Sequence, residues 1–393
     1  MISEQEALSV ILKGTTRLPA RSVPLNDALA CYSASDLHAR LPLPVFDNSA
    51  MDGYAVIAGE CSLGCRLRVV GEQPAGRDRR LQVRSGEAVR IYTGAPLPSG
   101  ADAVVMQEDT QLDGEEIAVK TTVGAGEFVR RRGSDLAEGQ KILGRGEKLT
   151  PQLLTLLAAE GFSEVSVGGT PRVAIVSTGD ELAAPGAALQ PGQIYESNST
   201  LLAALLRSFG FREIVIERCG DEAAATEAAL ARGAQSDVLI ISGGVSVGPL
   251  DLVKPALAAI GGGIDVWRVS VKPGKPFLFG RVGRCVVFGL PGNPVSAFVT
   301  FLLFVRPALL KMAGATDLSL SRNPARLREN LANNGQRPHY VRGRVREGRF
   351  EPVGLQESHA LYSLSRANAL VCVAPGETLS ADSLVEALTW GFP

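Results

Sequence analysis

Apolar and polar positions follow a different rhythm in successive parts of the chain, and each rhythm predicts a kind of element. Residues 3–14 (Ser-Glu-Gln-Glu-Ala-Leu-Ser-Val-Ile-Leu-Lys-Gly) open on a Ser-x-x-Glu capping box and close on glycine, which predicts a helix. Asn26-Asp27 predicts a second short helix through Leu29. Between about 55 and 140, short β-type runs at Arg66–Val70, Ala88–Tyr92, Ala103–Met106 and Ile117–Lys120 alternate with glycine turns, the pattern of a small all-β unit. Thr150-Pro151 supplies an N-cap and a first-turn proline for a helix through Glu160, closed by Gly161. This helix resembles the opening one in character, so the β unit reads as an insertion into a helical segment.

From Arg172 strands and helices alternate. Strands are predicted at Val173–Val176, Ile214–Ile216 and Val238–Ile241. Helices are predicted after a cap at Ser197-Asn-Ser-Thr, with a stripe at Leu201, Leu202, Leu205, Leu206 and Phe209, and over Asp221–Ala231 and Asp251–Ile260. Such alternation implies a three-layer α/β domain with a mainly parallel sheet. Val266–Val271, Phe277–Phe279 and Val286–Phe288 follow without helices between them, so antiparallel or edge strands are expected there. Asn293-Pro294 caps a helix to about Met312 that is apolar on nearly all sides; it must be covered by the core or by a partner subunit. Short runs at Arg342–Val345, Leu370–Val373 and Leu384–Ala387 predict a last, small β domain. The expected division is a helical segment at 1–47 continued at 141–170, an inserted β-rich domain at 48–140, an α/β substrate-binding domain at 171–320 and a C-terminal β domain at 321–393.

Composition narrows the function. A net charge of −1 gives no support for general attraction to nucleic acid or a membrane surface. The acidic N-terminus lacks a signal layout, and the longest apolar stretch, Val295 to Leu310, is interrupted by Ser296, Thr300 and Arg306-Pro307, so no spanning helix and a cytoplasmic location are expected. Six scattered cysteines and three histidines give neither a zinc-finger spacing nor a histidine metal site.

The candidate chemistry lies where β-type runs end. Val238–Ile241 enters Ser242-Gly-Gly-Val-Ser-Val-Gly248; Val269-Ser-Val enters Lys272-Pro-Gly-Lys-Pro276; Val286–Phe288 enters Gly289-Leu-Pro-Gly-Asn293. In a parallel sheet such turns gather at the carboxyl edge, where ligands bind. Asp180, Glu181, Asp221, Asp251, Lys272 and Lys275 fall in these turns or their neighbours. Oxygen ligands in ones and twos suit Mg²⁺ shared with a phosphorylated substrate, and lysines beside a glycine backbone suit an oxyanion. Asp221 and Asp251 equally suit plain helix capping. The Ser242–Gly248 loop is neither a P-loop nor a dinucleotide fingerprint; it reads as a phosphate cradle or as a tight structural turn.

Six stretches occur in an order that resembles one family: Pro44-Val-Phe-Asp-Asn-Ser-Ala-Met-Asp-Gly-Tyr-Ala55, Thr93-Gly-Ala-Pro-Leu-Pro-Ser-Gly-Ala-Asp-Ala-Val104, Ser177-Thr-Gly-Asp-Glu-Leu182, Ser242–Gly248, Lys272–Pro276 and Gly289-Leu-Pro-Gly-Asn-Pro-Val-Ser-Ala297. The chain resembles the molybdopterin molybdenumtransferases (molybdenum insertases), bacterial MoeA and the E domain of gephyrin. The resemblance implies an elongated homodimer with sites at the subunit interface, an α/β domain like that of molybdopterin adenylyltransferases and a C-terminal β-barrel-like domain. It implies insertion of molybdate into the dithiolene of adenylylated molybdopterin, with divalent-cation-dependent release of AMP. Glu181, Asp221 and Asp251 would hold Mg²⁺ or orient the attacking oxygen. Lys272, Lys275 and Arg342 would meet molybdate and the pterin phosphate. Asp52 and Thr93 match residues of the inserted domain that matter for activity. Ser177, Thr178, Gly179, Asp180, Gly243, Gly244, Ser246, Gly248, Pro291, Gly292 and Asn293 would line the substrate site, joined by Ser358 and Ser363. The segment Gly248-Pro-Leu-Asp251-Leu252 departs from relatives that carry an acidic residue and a tyrosine around the aspartate. Expected partners are the adenylyltransferase and molybdoenzyme chaperones. Adenylylation of molybdopterin and a gephyrin-like scaffold are the alternatives.

Overall fold

A computed structural model describes residues 1–245 and 252–391; the expected sites Ser246, Gly248 and Asp251 lie outside the described residues. The chain forms two compact units, one of residues 1–35, 145–155 and 163–393, the other of residues 36–144 and 156–162.

The first unit is built on a six-stranded sheet in the order Ile214–Cys219, Val173–Thr178, Val238–Ser242, Cys285–Leu290, Leu278–Val282, Gly263–Trp267. The first four are mutually parallel; Leu278–Val282 runs against them, and Gly263–Trp267, antiparallel to Leu278–Val282, runs with them. Alternation along each strand sends successive side chains to opposite faces. Val173, Ile175, Val238, Ile240, Val286 and Phe288 enter one core, with the helices Glu4–Gly14, Asn198–Ser208 and Pro294–Met312; Ala174, Val176, Leu239, Ile241 and Val287 enter a second, with the helices Ala223–Gly233 and Val253–Ala259. Both faces are covered, which is why these strands read as unbroken apolar runs. Each fully buried Val, Ile or Phe contributes about 1.5–3 kcal/mol of transfer free energy.

Residues 294–312 form one continuous helical rod with a π-helical stretch at Phe301–Val305. It is long and apolar enough to cross a bilayer, but 89% of its most apolar 18-residue stretch is buried in the protein. Phe277 packs on Phe304 at 4.6 Å between ring centres, so the core consumes the rod's apolar surface. The C-terminal part closes a five-stranded barrel of Ser321–Leu327, Arg349–Pro352, His339–Arg346, Ala369–Val373 and Leu384–Thr389.

The second unit carries a six-stranded sheet in which Gly53–Val56 lies between Glu87–Ile91 and Ala103–Met106. Its apolar positions, among them Tyr54, Val56, Ala88, Val105 and Ile117, form a core of their own.

Several local expectations are corrected. The segment after Pro24 is a 3₁₀ turn, Leu25–Asp27, with no side-chain cap, not a helix to Leu29. The Ser197 side chain accepts no capping bond from its helix; the Glu196 carboxylate accepts from the Ser199 N–H at 2.8 Å instead. Asn293 does not cap either, because its side-chain amide donates to Ser358 Oγ at 3.0 Å. The helix after Asp221 begins at Ala223, and Asp221 turns back toward residue 180. The strand expected over Val266–Val271 is Gly263–Trp267; beyond it the chain leaves the sheet and is held by the N-terminus, Ser270 N–H donating to Ile2 O at 2.9 Å.

Candidate active site

The parallel strands end in register at Thr178, Cys219, Ser242 and Leu290, so the turns after them share one edge. There a cavity of about 730 Å³ opens, lined by Thr178-Gly179, Glu181, Asp221, Ser242–Val245 and Pro291–Pro294, with the segment Leu182, Ile194–Asn198 on one side and His359 and Leu361 on another. Among the expected site residues, Thr178, Gly179, Glu181, Asp221, Gly243, Gly244, Pro291, Gly292 and Asn293 are brought together here. Ser177 is buried directly beneath, its Oγ accepting from Ser199 Oγ at 3.4 Å.

The turns are tight for identifiable reasons. Gly179 has φ +151°, and a Cβ placed on it would lie 2.5 Å from Glu181 Oε2, because that carboxylate folds back over the glycine. Gly243 has φ +93°, and a Cβ there would sit 2.8 Å from Thr178 O. Asp180 and Asp221 clasp the two neighbouring turns: Asp221 N–H donates to Asp180 Oδ1 at 3.0 Å, and Asp180 N–H donates to Asp221 Oδ2 at 3.4 Å. Asp180 thus braces Asp221. The exposed Glu181 carboxylate accepts no hydrogen bond among the described residues, which leaves its oxygens for a ligand.

Asn198 was not foreseen as a site residue; within Ser197-Asn-Ser-Thr it reads only as part of a helix cap. It is buried and its amide donates to both Ser242 Oγ at 2.8 Å and Gly292 O at 2.7 Å, tying two of the glycine turns together. Since Gly292 O can only accept, the amide orientation is fixed, and Asn198 Oδ1 is left sealed without a donor among the described residues. Glu196, Tyr195 and Leu361 also line the cavity without a sequence signal that marks them.

The basic residues lie outside the cavity lining, and Lys272, Arg337 and Arg342 gather around His339. Lys272 and Lys275 are exposed on the loop that leads to Pro276, a cavity-lining residue, and neither lysine lines the cavity itself. The backbone of Lys272 pairs with the barrel strand, its N–H donating to Pro338 O and its carbonyl accepting from Tyr340 N–H, both at 2.8 Å. Arg337 Nη1 donates to Val271 O at 2.7 Å. Arg342 is fully buried; its Nη2 donates to Leu355 O at 2.6 Å and Glu357 O at 3.1 Å, while Nε and Nη1 have no partner among the described residues. Burial pulls the Arg342 guanidinium below its ordinary pKa. For His339, burial first, and then the positive charges of Lys272, Arg342 and Arg337, push the imidazole down to about 4. Unpaired buried donors cost about 1–3 kcal/mol each, so this cluster is short of negative charge. Ser358 is held beside Asn293, and Ser363 is buried against Gly354, away from the cavity lining.

Asp52 and Thr93 belong to the second unit, where they meet each other. Asp52 Oδ1 accepts from both the N–H and the Oγ of Thr93 at 2.8 Å, and these two bonds hold its carboxyl below the usual range. The described residues contain no group of three or more His, Cys, Asp or Glu side chains suited to a metal ion. Glu181 and Asp221 do fit a divalent cation shared with a substrate phosphate, since both face one cavity and Mg²⁺ is commonly held by one or two carboxylates.

Residues 2–161 match the family described as MoeA N-terminal region (domain I and II), residues 174–311 the probable molybdopterin binding domain, and residues 324–390 the MoeA C-terminal region (domain IV). A molybdopterin molybdenumtransferase 2 of Mycobacterium tuberculosis is 39% identical over 384 residues, covering 94% of this chain and 95% of the relative. The molybdopterin molybdenumtransferase of Haemophilus influenzae is 35% identical, covering 91% and 92%. Among solved structures, a molybdopterin biosynthesis MoeA protein from Pyrococcus horikoshii superposes with a TM-score of 0.82 at 30% identity, covering 100% of both chains.

Proposed function

Because this chain belongs to the molybdopterin molybdenumtransferase (MoeA) family and is thereby a transferase of molybdenum cofactor biosynthesis, we propose that the cavity at the sheet edge receives adenylylated molybdopterin and that the basic loop beside it receives molybdate. The observation that carries the reading is the convergence of Glu181, Asp221 and three glycine-bearing turns at the carboxyl ends of the parallel strands.

Backbone N–H groups of the Gly243-Gly244 and Pro291-Gly292 turns are suited to the phosphates, since glycine lets an oxyanion approach the main chain closely. Glu181 and Asp221, with Asp251, would hold Mg²⁺, which when bound neutralises phosphate charge. Asp180 keeps Asp221 turned toward the cavity through the paired backbone bonds. Water attacks the pterin phosphate–AMP anhydride with AMP as the leaving group, and Glu181, whose carboxylate accepts no hydrogen bond among the described residues, would orient it. Lys272 and Lys275 meet molybdate as point charges. The two unpaired donors of Arg342 strengthen the same positive field from behind His339. The metal's sulfur ligands come from the dithiolene, so no cysteine is called on.

We further read the working form as a cytoplasmic homodimer in which Asp52 and Thr93 of one chain complete the partner's site. Supplying adenylylated molybdopterin, molybdate and Mg²⁺ tests the reaction: AMP appears only with molybdate present, and Lys275→Ala suppresses it by at least about tenfold. Pyrophosphate release from ATP and molybdopterin would instead assign the preceding adenylylation. Undiminished AMP release by a folded Lys275→Ala protein would remove that lysine from the site.

A further inference from the structure

Asn198 is the first residue of the helix Asn198–Ser208, whose Leu202, Leu205 and Leu206 are locked in the core, so its side chain projects from a rigid element. The start of that helix meets three parallel strands near their ends. Ser199 Oγ donates to Ser177 Oγ at 3.4 Å, one residue before the end of Val173–Thr178. The Asn198 amide donates to Ser242 Oγ at 2.8 Å, at the last residue of Val238–Ser242. It also donates to Gly292 O at 2.7 Å, just past Cys285–Leu290. Both amide hydrogens are spent on the protein and the residue is only 7% exposed, so Asn198 holds the turns and not the ligand.

The two tied turns carry what a bound anion needs. They lie against each other: a Cβ placed on Gly292 would sit 3.8 Å from Gly243 Cα. Gly243 N–H donates to Leu290 O at 3.2 Å, which joins the same two segments a second time. The N–H groups of Gly244, Gly292 and Asn293 make no hydrogen bond among the described residues, and these residues line the cavity and are at least partly exposed. Open donors on two separate turns can meet one anion only if the turns keep a fixed spacing. The tie has a cost. Asn198 Oδ1 is sealed without a donor among the described residues, and a buried acceptor left unsatisfied weakens the fold. Leucine would fill the same space without that orphan oxygen, so packing alone does not call for an amide.

Starting from the reading of these turns as a phosphate cradle, we propose that Asn198 is a positioning residue: its amide fixes the spacing of the two turns, so that the N–H groups of Gly244, Gly292 and Asn293 reach one phosphate together. The ligand is met by the main chain of the turns, and Asn198 acts through it. Losing the spacer lets each turn relax by itself, so the loss falls on the phosphate of a bound nucleotide and spares the nucleoside.

Binding of AMP and of adenosine to the full-length protein is measured by calorimetry with Mg²⁺ present. The wild-type protein should bind AMP at least about tenfold more tightly than adenosine, because only AMP engages the turns. Asn198→Leu, close in shape, should bring AMP to within about threefold of adenosine, with adenosine affinity and melting temperature unchanged. A preference for AMP that survives in folded Asn198→Leu overturns the inference and leaves the phosphate reading standing. Equal weakening of AMP and adenosine also overturns it, by making the residue a plain support of the cavity. No preference for AMP in the wild-type protein removes the phosphate reading and the inference with it. If Asn198→Leu fails to fold, Ser242→Ala, which removes one end of the tie, decides alone. AMP should then weaken at least about threefold with adenosine unchanged, and any other result overturns the inference.

Discussion

His339 reports on the basic cluster from inside it. Its folded-state pKa of about 4 lies below the ordinary value of 6.5, so the unfolded chain binds the proton first as pH falls. Stability is accordingly intact above about pH 6.5 and declines as pH drops toward 4; complete protonation costs on the order of 3 kcal/mol. Denaturant unfolding at pH 7 and pH 4.5 should show this decline, and His339→Gln should remove its share of it. The same residue senses the proposed molybdate site. A dianion beside Lys272 and Arg342 offsets the positive field, so saturating molybdate should raise the His339 pKa by about one unit or more in a histidine NMR titration. An unmoved titration would separate His339 from the bound anion. Gly179→Ala isolates the neighbouring carboxylate: the new Cβ meets the flexible end of Glu181 at a positive φ. AMP release should fall about tenfold or more through displacement of Glu181, with the core and most of the melting temperature kept.

At the scale of elements, the sequence is most readable where one physical requirement dominates. The Val238–Ile241 run is apolar throughout because helices cover both sides of the sheet, and the Ser3/Glu6 capping box appears as expected, Glu6 N–H donating to Ser3 Oγ at 3.2 Å and Ser3 N–H to Glu6 Oε2 at 2.8 Å. Caps fail as signals where the usual residue is recruited by tertiary structure. Asn293 turns to Ser358 and Asn198 spans two glycine turns, partners 65 and 94 positions away that no local pattern contains. For the same reason Asn198 escaped notice as a site residue, and the fully buried state of Arg342 is not legible from a strand that reads His-Tyr-Val-Arg-Gly-Arg. The apolar rod at 294–312 poses a choice between core and partner subunit, and its rings pack inside the chain. Truncating Phe304→Ala should therefore cost about 3–5 kcal/mol in denaturant unfolding of the isolated chain.

At the scale of the whole molecule, the residues expected to act together are split between two units. Glu181, Asp221, Lys272, Lys275 and Arg342 belong to the first unit, Asp52 and Thr93 to the second. If each site is completed by the partner subunit, two inactive proteins should rescue each other. Mixing Asp52→Asn with Lys275→Ala chains under exchange conditions should restore about a quarter of wild-type AMP release, because half of the random dimers carry one intact site. No recovery would place all these residues in one chain's site or remove one of them from it.

The most direct test of the account concerns the cavity at the sheet edge. It is single-turnover AMP release from adenylylated molybdopterin by Glu181→Gln, with molybdate and Mg²⁺ saturating. Loss of the carboxylate charge without loss of shape should slow release by about a hundredfold while the melting temperature stays unchanged. Release at the wild-type rate from the folded variant would contradict the assignment of this cavity as the place where the anhydride is cleaved.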